Sequence, residues 1–306
     1  MRNFSLHPRN WREFKWCYPV IARRSKGLSL GINLNPDRVC TFDCIYCEVE
    51  RSDFRLGKGQ VRLPPLGQVR PMINLEEARA EMDQLLPLIR EGHIWQEAEF
   101  STVPLELRRF NDIAFSGNGE PTTYPRFSEA VQLVVEARSK AGYTPEEVKI
   151  VLITNATQLH RPQVQAGLRL LDKAKGEIWA KLDAGTPEYY SQIDRTNVPY
   201  KRVLNNILET ARQQPLNIQT CMMCIQGVAP SVAEIEAYCK RLTDFLDGGG
   251  QIKMVQLYTV ARRPPHQWVT SLPDTTLNAI AEGIKVSTGL AVETYGGNIG
   301  VTSILT

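Results

Sequence analysis

At 306 residues with 42% hydrophobic content, the chain is long enough to bury a large core, which argues against disorder and fits one domain of α/β barrel size or two smaller ones. A net charge of +3 is too small to argue by itself for a nucleic acid or membrane surface as partner. No apolar run reaches bilayer-crossing length, and the opening MRNFSLHPRNWREFKW is too polar for a signal peptide, so the sequence predicts a cytoplasmic protein with no membrane association.

Residues 1–27 read as an N-terminal extension and residues 28–306 as a single domain. From Leu28 onward, short β-branched apolar runs alternate with amphipathic stretches, the pattern of parallel strands joined by crossover helices. Strands are predicted at Leu28–Asn33, Asp112–Ser116, Val148–Thr154, Glu177–Leu182, Asn217–Ile225 and Gln251–Tyr258, with a further one at Leu290–Glu293. Helices are predicted at Leu75–Arg90, Arg126–Ala141, Gln163–Lys173, Arg202–Gln213, Val232–Leu246 and Thr275–Ser287. Asn74, with Glu77 three residues on, is the expected N-cap of the first helix, and Gly142, Gly176 and Gly248 stand where helices should end. A polar, basic insertion covers 48–73 and a second long connection covers 92–111; loops of that length are commonly lids or binding loops. There is no fixed-period repeat and no composition shift that marks a second domain. The expected fold is α/β, a partial TIM-type (β/α)6 barrel open on one side, with its chemistry at the C-terminal ends of the strands.

Seven cysteines in a reducing compartment stay as thiols or serve as metal ligands. Cys40, Cys44 and Cys47 fall within eight residues, directly after the first predicted strand, at CxxxCxxC spacing. Three thiolates leave one iron of a cubane cluster with an open position for a small chelating molecule. A structural zinc site takes four ligands, usually in two separated pairs, and no further Cys or His follows at that spacing; zinc and a chance group of buried thiols are the alternatives. Cys221 and Cys224 lie within one predicted strand, where odd spacing points them to opposite faces, and read as buried thiols. Cys17 and Cys239 read as structural.

The Cys40–Cys47 segment, with Tyr46 before its last cysteine, resembles the cluster motif of the radical S-adenosylmethionine (SAM) superfamily. The resemblance implies that Cys40, Cys44 and Cys47 ligate a 4Fe-4S cluster whose fourth iron takes the methionine moiety of SAM, with Tyr46 near the adenine. It implies reductive cleavage of SAM to a 5'-deoxyadenosyl radical that abstracts hydrogen from a substrate. Phe115–Thr122, FSGNGEPT, is similar to the family's GGE motif with Asn118 between, or in place of, a glycine. There Gly117 and Gly119 admit a close ligand and Glu120 accepts from the SAM ammonium; an ordinary glycine turn is the alternative.

Lys181-Leu182-Asp183 resembles the family's SLD-type segment, which implies Lys181 at the SAM carboxylate and Asp183 near the ribose hydroxyls. Alternation puts both on one face of the strand, and Lys181 departs from the usual small polar residue. A surface ion pair at a strand end is the alternative. Arg195 matches a position where family members aim an arginine at the SAM carboxylate or the substrate, against a plain helix-end charge. Thr154-Asn155-Ala156-Thr157 resembles a TNG-like turn, in which Asn155 donates to SAM or supports the turn.

The wording SLGINLNPDRVCTFDCIYC and FSGNGEPT is similar to the branch that includes the wyosine-forming tRNA enzymes, but the resemblance does not reach the substrate. Arg23, Arg24, Lys26, Arg51, Arg55, Lys58, Arg62 and Arg70 form a basic stripe that suits phosphates of RNA, a nucleotide or a phosphorylated metabolite, or else is a solvated face. Tyr258 and His266 lie at the catalytic end of the strands and are candidates for substrate contact, while the glycine-rich turn Glu293–Asn298 is read as closing one side of the barrel mouth; no catalytic acid or base is assigned. The implied partner is a flavodoxin- or ferredoxin-like electron donor. The functional alternatives are a tRNA- or peptide-modifying member of the superfamily, or a non-catalytic iron-sulfur or zinc protein. An electron carrier would keep all four cluster positions on protein ligands, which the missing fourth cysteine argues against.

Overall fold

A computed structural model describes residues 11–49, 73–262 and 264–297. Its strands, in chain order, are β1 (Cys17–Ala22), β2 (Gly27–Asn33), β3 (Phe110–Ser116), β4 (Lys149–Thr154), β5 (Glu177–Lys181), β6 (Leu216–Cys221), β7 (Met223–Ile225), β8 (Ile252–Tyr258), β9 (Val269–Ser271) and β10 (Val292–Tyr295). The helices are α1 (Leu75–Arg90), α2 (Phe127–Lys140), α3 (Pro162–Lys173), α4 (Pro187–Asp194), α5 (Tyr200–Gln213), α6 (Val232–Asp247) and α7 (Asp274–Thr288). One sheet runs in the order β1-β2-β3-β4-β5-β6-β8-β10, and β7 pairs with β9 in a separate two-stranded sheet. The pairings β2–β3, β3–β4, β5–β6, β6–β8 and β8–β10 are parallel, and β1–β2 is antiparallel. The fold class is α/β with the sequential strand order of a partial TIM-type barrel, as the alternating pattern predicts.

The described chain forms two compact units. One holds 11–40, 73–154 and 158–178, and therefore β1 to β4 and α1 to α3. Its core includes Leu28, Leu30, Ile113, Ile150 and Leu152, with Phe115 and Phe127 edge to face at 5.8 Å between centroids. The other holds 41–49, 155–157, 179–262 and 264–297, with α4 to α7 and strands β6 to β10. Ile193, Ile207, Ile218, Val255, Leu257, Leu242 and Leu277 are buried there.

Several local rules act as expected. Asn74 caps α1, its side chain accepting from the Glu76 and Glu77 amides at 3.0 and 3.3 Å. Other elements depart from the sequence reading. β1 lies within the stretch read as an extension, so the sheet begins at Cys17; Pro19 is tolerated because β1 is an edge strand. α4 had no counterpart among the predicted helices, and the long predicted strand Asn217–Ile225 breaks at Met222, whose amide donates to Tyr258 O. Gly142 takes the left-handed turn after α2, but after α3 and α6 that conformation falls on Lys175 and Gly249 and not on Gly176 and Gly248. The connection 92–111 is packed, with Ile94, Phe100 and Val103 buried. Arg51, Arg55, Lys58, Arg62 and Arg70 of the basic insertion, and Asn298 of the last turn, lie outside the described residues. No helix among the described residues is long and apolar enough to cross a membrane.

β1 is anchored by a buried charge. The Glu81 carboxylate on α1 accepts from the backbone amides of Lys15, Trp16 and Cys17 at 2.8, 2.9 and 2.8 Å. Glu81→Ala leaves those amides without their acceptor and should lower unfolding stability by roughly 3 kcal/mol, with Glu81→Gln losing less because one acceptor oxygen survives. Urea denaturation measures both, and an alanine variant as stable as wild type contradicts the anchoring role.

Candidate functional site

In the first unit, the turn after β3 is clamped by buried polar atoms. The Asn33 side chain, at the end of β2, accepts from the backbone amides of Asn35 and Asn118 at 3.2 and 3.1 Å. Gly117 has φ +132°, and a Cβ there would stand 2.5 Å from Asn33 Oδ1; one on Gly119 would stand 2.0 Å from the carbonyl of Val39, the residue before Cys40. What approaches these glycines within the unit is thus the chain itself. Glu120 is buried, and its Oε1 accepts from Thr122 N, Thr122 Oγ1 and, at the end of β4, Thr154 Oγ1, at 3.2, 2.5 and 2.6 Å. The carboxylate is therefore fixed from two strand ends.

In the second unit, the loop 41–49 sits on three buried apolar residues, Phe42, Ile45 and Val49, and leaves Cys44, Tyr46 and Cys47 partly exposed. Backbone amides of Asp43 and Ile45 donate to the carbonyls of Asp194 and Ile193 at the end of α4, each at 2.9 Å. Thr196 Oγ1 donates to Thr41 O at 2.6 Å, and Asn155 Nδ2 donates to Thr41 Oγ1 at 2.8 Å. Asn155 Oδ1 meanwhile accepts from Thr157 N and Oγ1, and Ala156 between them has φ +62°, so Asn155 supports its turn.

The Cys44 thiol donates to the buried Asp194 carboxylate at 3.5 Å. Burial, then the charge of Asp194, push this thiol well above its ordinary range, and burial, then Asp183, push Asp194 up as well. Both effects favour the protonated thiol of Cys44.

The centre of this unit is Asp183. Its Oδ2 accepts from Tyr46 OH at 2.5 Å and lies 3.3 Å from Lys181 Nζ, while its Oδ1 accepts from the Cys221 amide at 2.7 Å. Lys181 also donates to Tyr258 OH at 2.7 Å and lies over the rings of Tyr46 and Tyr258 at 4.9 and 5.2 Å from their centroids. The two side chains share a face, as alternation requires. The surface ion pair considered from sequence is excluded, since the side chains of Lys181 and Asp183 are 14% and 0% exposed. Burial by itself lowers the Lys181 pKa, but Asp183 and then Tyr258 outweigh it and hold the ammonium well above its ordinary value. Past Asp183, the Gly185 amide and Thr186 hydroxyl both donate to the buried Glu234 carboxylate at 2.5 Å, which fixes the chain beyond it.

Arg195 follows α4 in the left-handed conformation, φ +45°. Its Nη1 is 3.1 Å from His266 Nε2 and its guanidinium lies 5.6 Å from the Trp268 centroid; His266 and Trp268 stack at 4.8 Å. It is half-buried within this group rather than a free helix-end charge. Cys221 is buried, but Cys224, beyond the break at Met222, is only half-buried, which corrects its reading as a buried thiol. Sequence reasoning missed Asp194, Trp268 and the Cys221 amide. The one signal for Asp194 is a carboxylate at the last residue of a helix, where the dipole disfavours it.

All seven cysteines are free of disulfides. Among the described residues no three His, Cys, Asp or Glu side chains are gathered as a metal site. Three partly exposed thiols outside any disulfide nonetheless fit an iron-sulfur cluster by donor chemistry, since thiolate is the ligand such clusters take.

No family model matches the chain. It is 28% identical over 192 residues to a UPF0026 protein of Helicobacter pylori, covering 62% of this chain and 48% of the relative. It is 22% identical over 279 residues to the GTPase Obg of Brachyspira hyodysenteriae, covering 90% of this chain and 34% of that protein. Among solved structures, the crystal structure of an archaeal TYW1 aligns with TM-score 0.43 and 13% identity over 86% of this chain and 73% of that one. The chain spans about half the length of the Helicobacter relatives it matches.

Removing the acceptor of a buried ammonium is costly. Asp183→Asn should cost roughly 3 kcal/mol of unfolding stability, and the double variant Lys181→Met/Asp183→Asn less than that, because no unpaired charge is left behind. Additive losses in a denaturation cycle would show that the pair is not coupled.

Proposed function

We propose that this chain is a radical SAM enzyme that holds a 4Fe-4S cluster through Cys40, Cys44 and Cys47, cleaves SAM reductively and abstracts hydrogen from a substrate. The observation that carries this reading is the CxxxCxxC loop, whose Cys44 and Cys47 are partly exposed and outside any disulfide while its Phe42 and Ile45 are buried. When bound, the cluster supplies the electron that breaks a C–S bond of SAM and yields the 5'-deoxyadenosyl radical.

The chain's own residues bind and orient. Lys181, held charged beside Asp183 and Tyr258, suits the SAM carboxylate, with Asp183 towards the ribose hydroxyls and Tyr46 against the adenine. Glu120 suits the SAM ammonium; Gly117, Asn118 and Gly119 offer backbone beside it, and Asn155 holds its turn. Arg195 offers a guanidinium to a carboxylate of SAM or of the substrate. The electron comes from a flavodoxin- or ferredoxin-like protein, and the protein works in the cytoplasm without a membrane. The basic stripe around Arg23, Arg24, Lys26 and Arg51 to Arg70 favours a tRNA or another phosphate-bearing substrate.

Anaerobic reconstitution, reduction and addition of SAM should give 5'-deoxyadenosine, with iron and sulfide bound. Cys44→Ala should abolish the nucleoside and lower the iron content. A colourless zinc protein that leaves SAM intact overturns the reading.

A further inference from the structure

On the sheet face that carries Lys181, the register of four parallel strands aligns two rows of side chains. One row is Lys181, Gln219, Gln256 and Glu293, on β5, β6, β8 and β10. The next, two residues on and so on the same face, is Cys221, Tyr258 and Tyr295, with Asp183 at its β5 end.

Barrel strands commonly fill such a face with branched apolar side chains. Here Gln219 and Gln256 are 1% and 3% exposed. Gln219 Nε2 donates to Gln256 Oε1 at 3.1 Å. Whichever way round the two amides are set, that bond uses one N–H and one C=O and leaves a carbonyl and an amide nitrogen. Neither makes another side-chain hydrogen bond among the described residues, and neither is among the polar atoms sealed away without a partner. The little surface these side chains keep therefore lies at the amide ends. An apolar pair would fill the same space without half-spent hydrogen-bonding groups, so the amides cost the fold something that a ligand can return.

The charges that flank the pair are engaged elsewhere. Lys181 is held by Asp183 and Tyr258, and Glu293 accepts from Tyr295 OH at 2.6 Å. What the row still offers is neutral, one donor beside one acceptor, and it is bordered by the aromatic rings of Tyr258 and Tyr295.

We propose that Gln219 and Gln256 form a binding subsite for a neutral, planar ligand that carries an N–H beside a C=O, the edge of an amide or lactam. The subsite borders the residues given to SAM, so the inference deepens that reading by giving the chemistry of the second ligand; it rests on that reading for the identity of the first ligand only.

Calorimetry with two matched pairs tests it: inosine against purine riboside, which lacks the lactam, and nicotinamide against nicotinate. The amide member of at least one pair should bind wild-type protein roughly tenfold tighter, and the advantage should vanish in Gln219→Leu and Gln256→Leu while SAM affinity of the reconstituted protein is unchanged. No advantage in either pair overturns the proposal, as does one that survives both substitutions. Loss of SAM affinity in step with probe affinity also overturns it, because the amides then serve the adenine of SAM. If the leucine variants do not fold, the wild-type pairs decide alone. Probe binding does not require the cluster, so a protein that binds the amide probes but neither iron nor SAM sinks the radical SAM reading and leaves this one standing.

Discussion

The Asp183 carboxylate is the acceptor on which the second unit's site depends. It is buried and charged, a combination that is tolerable only because a phenol, an ammonium and a backbone amide all point at it. Those donors come from three separate segments: the cysteine loop, the end of β5 and the end of β6. Tyr46 is held at the strand ends by this bond, and Lys181 stays protonated because of it. Removing the Asp183 carboxylate takes the shared acceptor from all three donors at once, so the group depends on it as a unit.

The first unit solves a similar problem with one side-chain amide and one carboxylate. Asn33 gathers two backbone amides, and Glu120 ties the turn after β3 to Thr154 at the end of β4. Gly117 and Gly119 are needed there because Asn33 and the Val39 carbonyl occupy the space of a Cβ. In both units apolar packing makes the strands, while buried polar atoms at the strand ends set the loops. Loops held this way are positioned nearly as well as the strands, which is what ligand-binding groups require.

Polarity is spent with little evident benefit to the fold in the row from Lys181 to Glu293. Asp194 is a comparable case, a carboxylate at a helix end that disfavours it, buried against a thiol that it makes harder to ionise. Side chains that break local rules in this way are expected where a stable fold gives up stability for a site.

Much of this was legible in the sequence. The alternation of β-branched runs and amphipathic stretches marked the strands of the parallel sheet, the cysteine spacing marked the loop, and a period of two put Lys181 and Asp183 on one face. Less was legible where local signals are weak: β1 carries a proline, α4 is a short helix between other signals, and the left-handed residue after α3 is a lysine. The sequence by itself determined the alternation of strands and helices from β2 onward and the shared face of Lys181 and Asp183, because periodicity and spacing act over a few residues. Only the tertiary structure decided which groups meet, for Tyr46 and Asp183 are 137 positions apart, and a hydrogen bond across that distance exists only once the strands between them have paired.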